Sequence, residues 1–517
     1  MMQDLKGKAI RGGLARLFAQ GATLLLRVAS VVVLARLLGP KDFGIVGMVT
    51  ALTGALTWFR DFGLSVAAVQ SRTVTEEQIS SLFWLNILLG VLLALAAVGM
   101  APTIAAFYGE PQLFAVTVVL GLGFLINAAG VQHSALLQRE MRFMTLSVIN
   151  VVSLVAGAVI AIAGAEVGYG YWALVAMSVA STLTTTLGAW LATGWIPGMP
   201  RRGTGIRSMM HFGGAVTFVG LVAYIAYNTE KVLIGRFWGA DAIGLYGRAY
   251  YLVGVPTDNL NAAISDVALS ALSRLQDDPA RLKSYFLKGF SLVFGLTLPF
   301  TIAFALFADD VVFVLLGPKW TDTAAIVRLL APTIVIFAII NPLGWFLYSM
   351  GLVARSLKMV LVLAPLMVTG YVMALPYGPK GVAFAYSAVM TLWLIPYTSW
   401  CVHGTPISLR DMLLAVSRPL ISGIVAGGVA FGFGLMCGQF PVLARLVLES
   451  SVLLVTFFAV LLFAAGQKTL YLDLMRGMKG PEARNASEPT QIKRTWTTTS
   501  KPLRDDRISE PAVSSND

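Results

Sequence analysis

The chain is 517 residues long and 57% hydrophobic, and only 12% of it is charged, against roughly a quarter in soluble domains. That balance excludes a soluble enzyme or binding module and points to an integral membrane protein. The net charge of +12 does not indicate nucleic acid, because the basic residues are scattered in ones to fours between apolar segments and form no basic face.

Fourteen apolar stretches are expected to cross a hydrocarbon core of roughly 30 Å as helices. They are residues 12–38, 43–59, 81–100, 113–132, 143–164, 172–193, 209–230, 242–272, 284–307, 324–350, 358–376, 381–401, 418–438 and 445–465. The fold expected is therefore all-α. Lys6, Lys8, Arg11 and Arg16 precede the first stretch, as in a signal peptide. The stretch is longer than a signal core and lacks a small-residue cleavage site, so it reads as an uncleaved span. The second span is short, and Arg60-Asp61-Phe62-Gly63 is expected to extend it as a broken helix. From about Gln467 the sequence turns Ser/Thr/Pro-rich and charged, the composition of a disordered tail.

Basic residues settle the expected orientation. With a cytoplasmic N-terminus, the inside segments up to Arg418 hold nineteen Lys and Arg and the outside segments nine. The loops near Glu110 and Glu166 hold none, as outside loops should. Both termini are then cytoplasmic. Five of the nine outside basic residues, Arg36, Lys41, Lys231, Arg236 and Arg248, lie in or beside a repeated motif.

That motif is the clearest internal feature. Leu34-Ala35-Arg36-Leu37-Leu38-Gly39-Pro40-Lys41-Asp42-Phe43-Gly44-Ile45 aligns with Ile234-Gly235-Arg236-Phe237-Trp238-Gly239-Ala240-Asp241-Ala242-Ile243-Gly244-Leu245, and Asp61 and Ser65 face Asn261 and Ser265 in the same register. Two related halves suggest a transporter whose site lies between them. Six spans separate the copies, so the halves run parallel: residues 1–200, residues 201–403, two further spans in 404–466 and a cytoplasmic tail at 467–517.

No catalytic motif is present: no D-x-D, H-E-x-x-H, G-x-S-x-G or P-loop. The two cysteines, Cys401 and Cys437, sit in apolar spans without metal or disulfide spacing. No metal site, cofactor or enzyme activity is expected. His133, His211 and His403 read as interfacial polar residues at span ends, and Asp277-Asp278 and Asp309-Asp310 as solvated turn residues.

Polar chemistry inside the membrane remains. Arg27 lies deep in the first span, where a guanidinium costs at least ~2.5 kcal/mol and faces a cavity or a partner. Asn228-Thr229-Glu230-Lys231 puts opposite charges together near the outer end of the seventh span. Arg248, Asp258, Asn261 and Ser265 follow on the eighth, the last three on one helical face. The candidate substrate-binding set is Arg27, Arg36, Arg60, Lys231, Arg236 and Arg248, with Glu230 and Asp258 as candidate coupling carboxylates. Prolines within spans, Pro256, Pro299, Pro332, Pro342, Pro365 and Pro396, provide kinks suited to bending.

The Leu34–Gly44 segment resembles the signature after the first helix of polysaccharide transporters. Ala135-Leu136-Leu137-Gln138-Arg139-Glu140-Met141-Arg142-Phe143, Val232–Ala240 and Leu269–Asp278 resemble further blocks in the same order. The chain up to about residue 465 is thus similar to the Wzx-type, colanic-acid-exporter-like branch of the multidrug/oligosaccharidyl-lipid/polysaccharide exporter superfamily. The resemblance implies two six-helix lobes around a cavity lined by spans one, two, seven and eight, with spans thirteen and fourteen cradling lipid. It also implies a multi-pass inner-membrane flippase, acting as a monomeric transport unit on an oligosaccharide carried by undecaprenyl pyrophosphate. Polymerase and co-polymerase are its candidate partners. Glu230 and Lys231 depart from the Asp and Asn that relatives often carry. The alternative is a cation-coupled small-molecule exporter of the same superfamily, which would favour an acidic cavity.

Overall fold

The computed structural model describes residue 21 and residues 23–59, 75–199 and 207–468, the side chains of 207–219, 266 and 353 apart. All regular structure among these residues is helical. Arg60, Asp61, Ser65, the start of the first span and the tail from residue 469 lie outside them.

In the first half, α1 (residues 23–37) precedes α2 (Pro40–Thr57), α3 (Glu76–Tyr108), α4 (Gln112–Arg139), α5 (Phe143–Glu166) and α6 (Tyr171–Thr193). A helical run, Arg207–Ser273, then turns at Gly239 and divides into α7 (207–238) and α8 (240–273). Gly239 has φ 79°, a backbone region that side-chain-bearing residues seldom enter, so only glycine makes this turn without strain. The second half continues with α9 (Pro279–Leu306), the short α10 (Ala308–Leu315), α11 (Thr323–Leu330), α12 (Pro332–Ser349), α13 (Val353–Ala374) and α14 (Gly378–Val402). α15 (Leu409–Met436) and α16 (Val442–Ala459) close the described chain.

Each of the fourteen expected spans has its helix, α11 and α12 sharing one stretch that breaks before Pro332. Pro332 has no N–H to carry the hydrogen-bond ladder through. The starts of α3 and α15 are fixed by reciprocal caps. Thr75 Oγ1 accepts from the Gln78 N–H at 3.2 Å while Gln78 Oε1 accepts from the Thr75 N–H at 3.0 Å. Ser408 and Asp411 repeat the arrangement at 3.2 and 2.9 Å. Each pair satisfies amides that a helix start leaves open.

Among the described residues, nine helical stretches are long and apolar enough to cross a membrane. Apart from the eight-residue α10, the helices outside that set are α1, α2, α7 and α8. Three of these four carry the charges of the cavity described below.

α3 packs on α4, and α4 and α5 pack on α6. α2 packs chiefly on the α7–α8 run of the second half. There α9 packs on α12 and α15, α13 on α14, and α15 on α16. The largest fully buried side chains include Trp320, Tyr246, Tyr371, Tyr386, Phe290 and Phe346, all from the second half.

Two polar readings change. His133, expected as a polar residue at a span end, is fully buried within the helix packing, stacked on Trp190 with ring centroids 4.2 Å apart, its Nε2 3.3 Å from the Trp195 carbonyl oxygen. Asp309 and Asp310 sit in the first turn of α10, where the helix dipole favours a carboxylate. Asp309 is exposed and meets Arg328 at 2.6 Å. Asp310 is only 6% exposed and receives Nε, at 2.5 Å, and Nη2 of Arg445 on α16.

Candidate functional site

A cavity of about 960 Å³ opens among the described helices, at the upper end of ligand-pocket sizes. Arg27 of α1, Lys231 of α7, and Arg248 and Asp258 of α8 line it. Residues up to 231 positions apart in sequence thus meet around one space.

Each cation is held differently. The Arg248 guanidinium lies 4.2 Å above the Phe43 ring and 5.5 Å from that of Tyr251. Its Nε has no hydrogen-bond partner, and no carboxylate lies within ion-pair distance among the described residues. Ring faces attract the cation and orient it while leaving its donors free. Lys231 Nζ donates to Asn228 Oδ1 at 2.7 Å and rests 4.3 Å over the Tyr250 ring. Arg27 is exposed to the cavity and makes no ion pair among the described residues.

Adjacent residues on a helix point about 100° apart. Lys231 therefore reaches the cavity while Glu230 turns into the packing. Glu230 is fully buried, neither carboxylate oxygen has a hydrogen-bond partner, and Lys231 Nζ stands 4.0 Å away. Tyr246, stacked on Tyr250, and Tyr386, edge-on to Tyr250, are buried with no hydrogen bond to their hydroxyls among the described residues. Asp258 faces the cavity, but Asn261, three residues on, accepts from Trp345 Nε1 at 3.2 Å beside a separate cavity of about 250 Å³. The polar stripe on α8 is split between cavity and helix contact.

Arg36 and Arg236 lie elsewhere. Arg36 Nη2 donates to the Val314 carbonyl at 2.9 Å, and Arg236 sits 5.7 Å from the Phe107 ring. Both belong to the repeated motif, whose two copies come into backbone contact. A Cβ on Gly44 would fall 1.7 Å from the Ala240 carbonyl oxygen, and one on Gly244 1.9 Å from that of Pro40. Beside this contact, carbonyls at the end of α1 find partners in the second half. Trp320 Nε1 donates to Ala35 at 2.8 Å, and Lys319 Nζ to Arg36 and Leu37 at 3.4 and 3.3 Å. These are the carbonyls a helix C-terminus cannot pair internally. Arg248, which lines the cavity, rests on Phe43, next to Gly44.

The sequence reading missed Gln138, Ser147, Asn150 and Asn259, which also line the cavity. Ser147 and Asn150, one turn apart in an otherwise apolar helix, were the available signal, since such residues avoid lipid.

A family model described as "Polysaccharide biosynthesis protein" matches residues 33–325. The chain is 24% identical to the lipopolysaccharide biosynthesis protein WzxC of Escherichia coli K12, covering 84% of this chain and 89% of that protein. It is 26% identical to the teichuronic acid biosynthesis protein TuaB of Bacillus subtilis 168, over 76% and 82%. Among solved structures it is similar to the lipid II flippase MurJ in an inward closed conformation, with TM-score 0.68, 13% identity, and 90% and 100% of the two chains covered. It is also similar to an inward-facing multidrug MATE transporter, with TM-score 0.53, 14% identity, and 79% and 98% covered. At these identities the structural likeness speaks for the fold.

Proposed function

The chain belongs to the polysaccharide biosynthesis protein family, and from that premise we propose that it is a flippase for lipid-linked sugar repeat units. It carries oligosaccharides on undecaprenyl pyrophosphate from the cytoplasmic to the periplasmic leaflet of the inner membrane. The observation that carries this reading is the pair of guanidiniums, Arg27 and Arg248, facing one cavity without a carboxylate partner among the described residues. A pyrophosphate bears at least two negative charges, and an Arg fork can grip its oxygens two at a time. Lys231 adds a third cation. Asp258 is the one carboxylate among the described lining residues, which weighs against a site built for cationic drugs.

The mechanism follows from the two ends of the cavity. The glycine seal at the motif faces the periplasm, and the cavity takes its cargo from the cytoplasmic side, where both termini lie. Opening the seal and closing the opposite end moves the bound pyrophosphate from one face to the other, as two six-helix lobes rock about the site. Glu230 and Asp258 are the carboxylates placed to link that motion to a proton or cation. The flippase works as a monomeric transport unit and hands its product to the polymerase and co-polymerase of the same pathway.

The experiment is flipping of a lipid-linked oligosaccharide by the purified full chain in proteoliposomes. Wild-type protein moves it, Arg27→Ala and Arg248→Ala reduce transport by at least about tenfold, and Arg27→Lys restores only part. Transport of a cationic dye with no movement of the lipid-linked sugar overturns the proposal.

A further inference from the structure

The charges of the cavity are not distributed evenly around it. Arg27, Lys231, Arg248 and Asp258 come from α1, α7 and α8. The lining residues of α4 and α5 include no charged side chain at all. Their polar groups are Gln138, Ser147, Asn150 and Ser153. Ser153 is already engaged, its hydroxyl donating to the Asn150 carbonyl at 2.9 Å. The side chains of Gln138, Ser147 and Asn150 make no hydrogen bond among the described residues, and Gln138 and Asn150 are exposed to the cavity. Ser147, Asn150 and Leu154 share one face of α5 at i, i+3 and i+7.

We propose that this α4–α5 face reads the sugars: Gln138, Ser147 and Asn150 bind the uncharged hydroxyls of the residues next to the pyrophosphate and set which repeat unit is carried. The inference rests on the flippase reading, because the pyrophosphate must first be fixed on the cationic side. Once it is there, the sugar bonded to it projects into the remaining volume, and the wall without charge is the one that suits hydroxyls. Amides of Asn and Gln both donate and accept, so each can engage two neighbouring hydroxyls of a pyranose. The same groups reject a sugar that cannot satisfy them, since they would be left buried and unpaired in the loaded cavity. A hydroxyl-rich ligand gains little from additional full charges, which would hold the acidic carrier in competing positions.

The test compares two probes on the purified full chain: undecaprenyl pyrophosphate without sugar, and undecaprenyl pyrophosphate bearing the strain's own repeat unit. Binding is read by native mass spectrometry. Wild-type protein is expected to bind both, the sugar-bearing probe more tightly. Asn150→Ala with Gln138→Ala should weaken the sugar-bearing probe by about tenfold or more and change the bare carrier less than twofold, which also shows that the variant is folded. Equal loss of both probes, or unchanged preference for the sugar, overturns the sugar-reading face. Failure of wild-type protein to bind either probe overturns the flippase reading itself, and is told apart from the other two by needing no variant.

Discussion

Gly44 and Gly244 occupy equivalent places in each other's environment. Each packs against the main-chain carbonyl of a residue in the middle of the other copy of the motif, where α8 and α2 begin: Gly44 on Ala240 and Gly244 on Pro40. The glycines are 200 residues apart and so are their contacts, so the duplicated sequence folds as a self-complementary pair about an approximate two-fold axis.

That reciprocity makes a prediction. Gly44→Val or Gly244→Val puts carbon atoms where a carbonyl now lies, and overpacking of this kind costs about 1–3 kcal/mol or forces the backbones apart. Thr23 lines the cavity and the native cysteines are buried, so a single cysteine introduced at Thr23 can report on the cavity. It should react with a membrane-impermeant maleimide from the periplasmic side in either valine variant and be protected in the parent. Protection retained in both variants would show that the contact does not hold the seal.

A second prediction concerns Asp258, which faces the cavity without a hydrogen-bond partner among the described residues. A carboxylate that exchanges a proton in each cycle cannot be replaced by an amide. Asp258→Asn should stop turnover in proteoliposomes while leaving carrier binding intact, and Glu230→Gln tests the buried carboxylate in the same assay. Gradient-stimulated transport that persists unchanged in Asp258→Asn removes that residue from coupling.

The third tests stability away from the cavity. Arg445→Ala strands Asp310, nearly buried at the α10–α16 contact, and removing one partner of such a pair costs about 3–5 kcal/mol. The melting temperature in detergent should fall clearly, and adding Asp310→Asn should recover much of the loss. A melting temperature unmoved by Arg445→Ala would show that the pair contributes nothing.

The helices were legible in the sequence because apolar length is a one-dimensional property: all fourteen stretches carry helix where the structure describes them. So was the meeting of Arg27, Lys231, Arg248 and Asp258 around one space, since a charge deep in an apolar helix must find water or a partner. What sequence could not give is the azimuth of residues at helix ends. Arg36 lies among open carbonyls at the end of α1 and bonds to one from α10 instead of reaching the cavity. Glu230 and Lys231 are neighbours, yet one is sealed in packing and the other lines the cavity. Asn261 and His133 needed partners, Trp345 and Trp190, that no spacing in the chain reveals. Uncharged polar groups such as Asn150 escape notice because their cost in a membrane helix is modest beside that of an arginine.

Trp320 also sets the order of assembly. The indole that caps Ala35 lies 285 residues further along the chain. During synthesis at about 5–20 residues per second, α1 therefore waits many seconds in the membrane with its last carbonyls open. The contact that finishes the first helix forms only after eight more spans have been made. A ribosome stalled before residue 320 would leave α1 with the carbonyl of Ala35 uncapped.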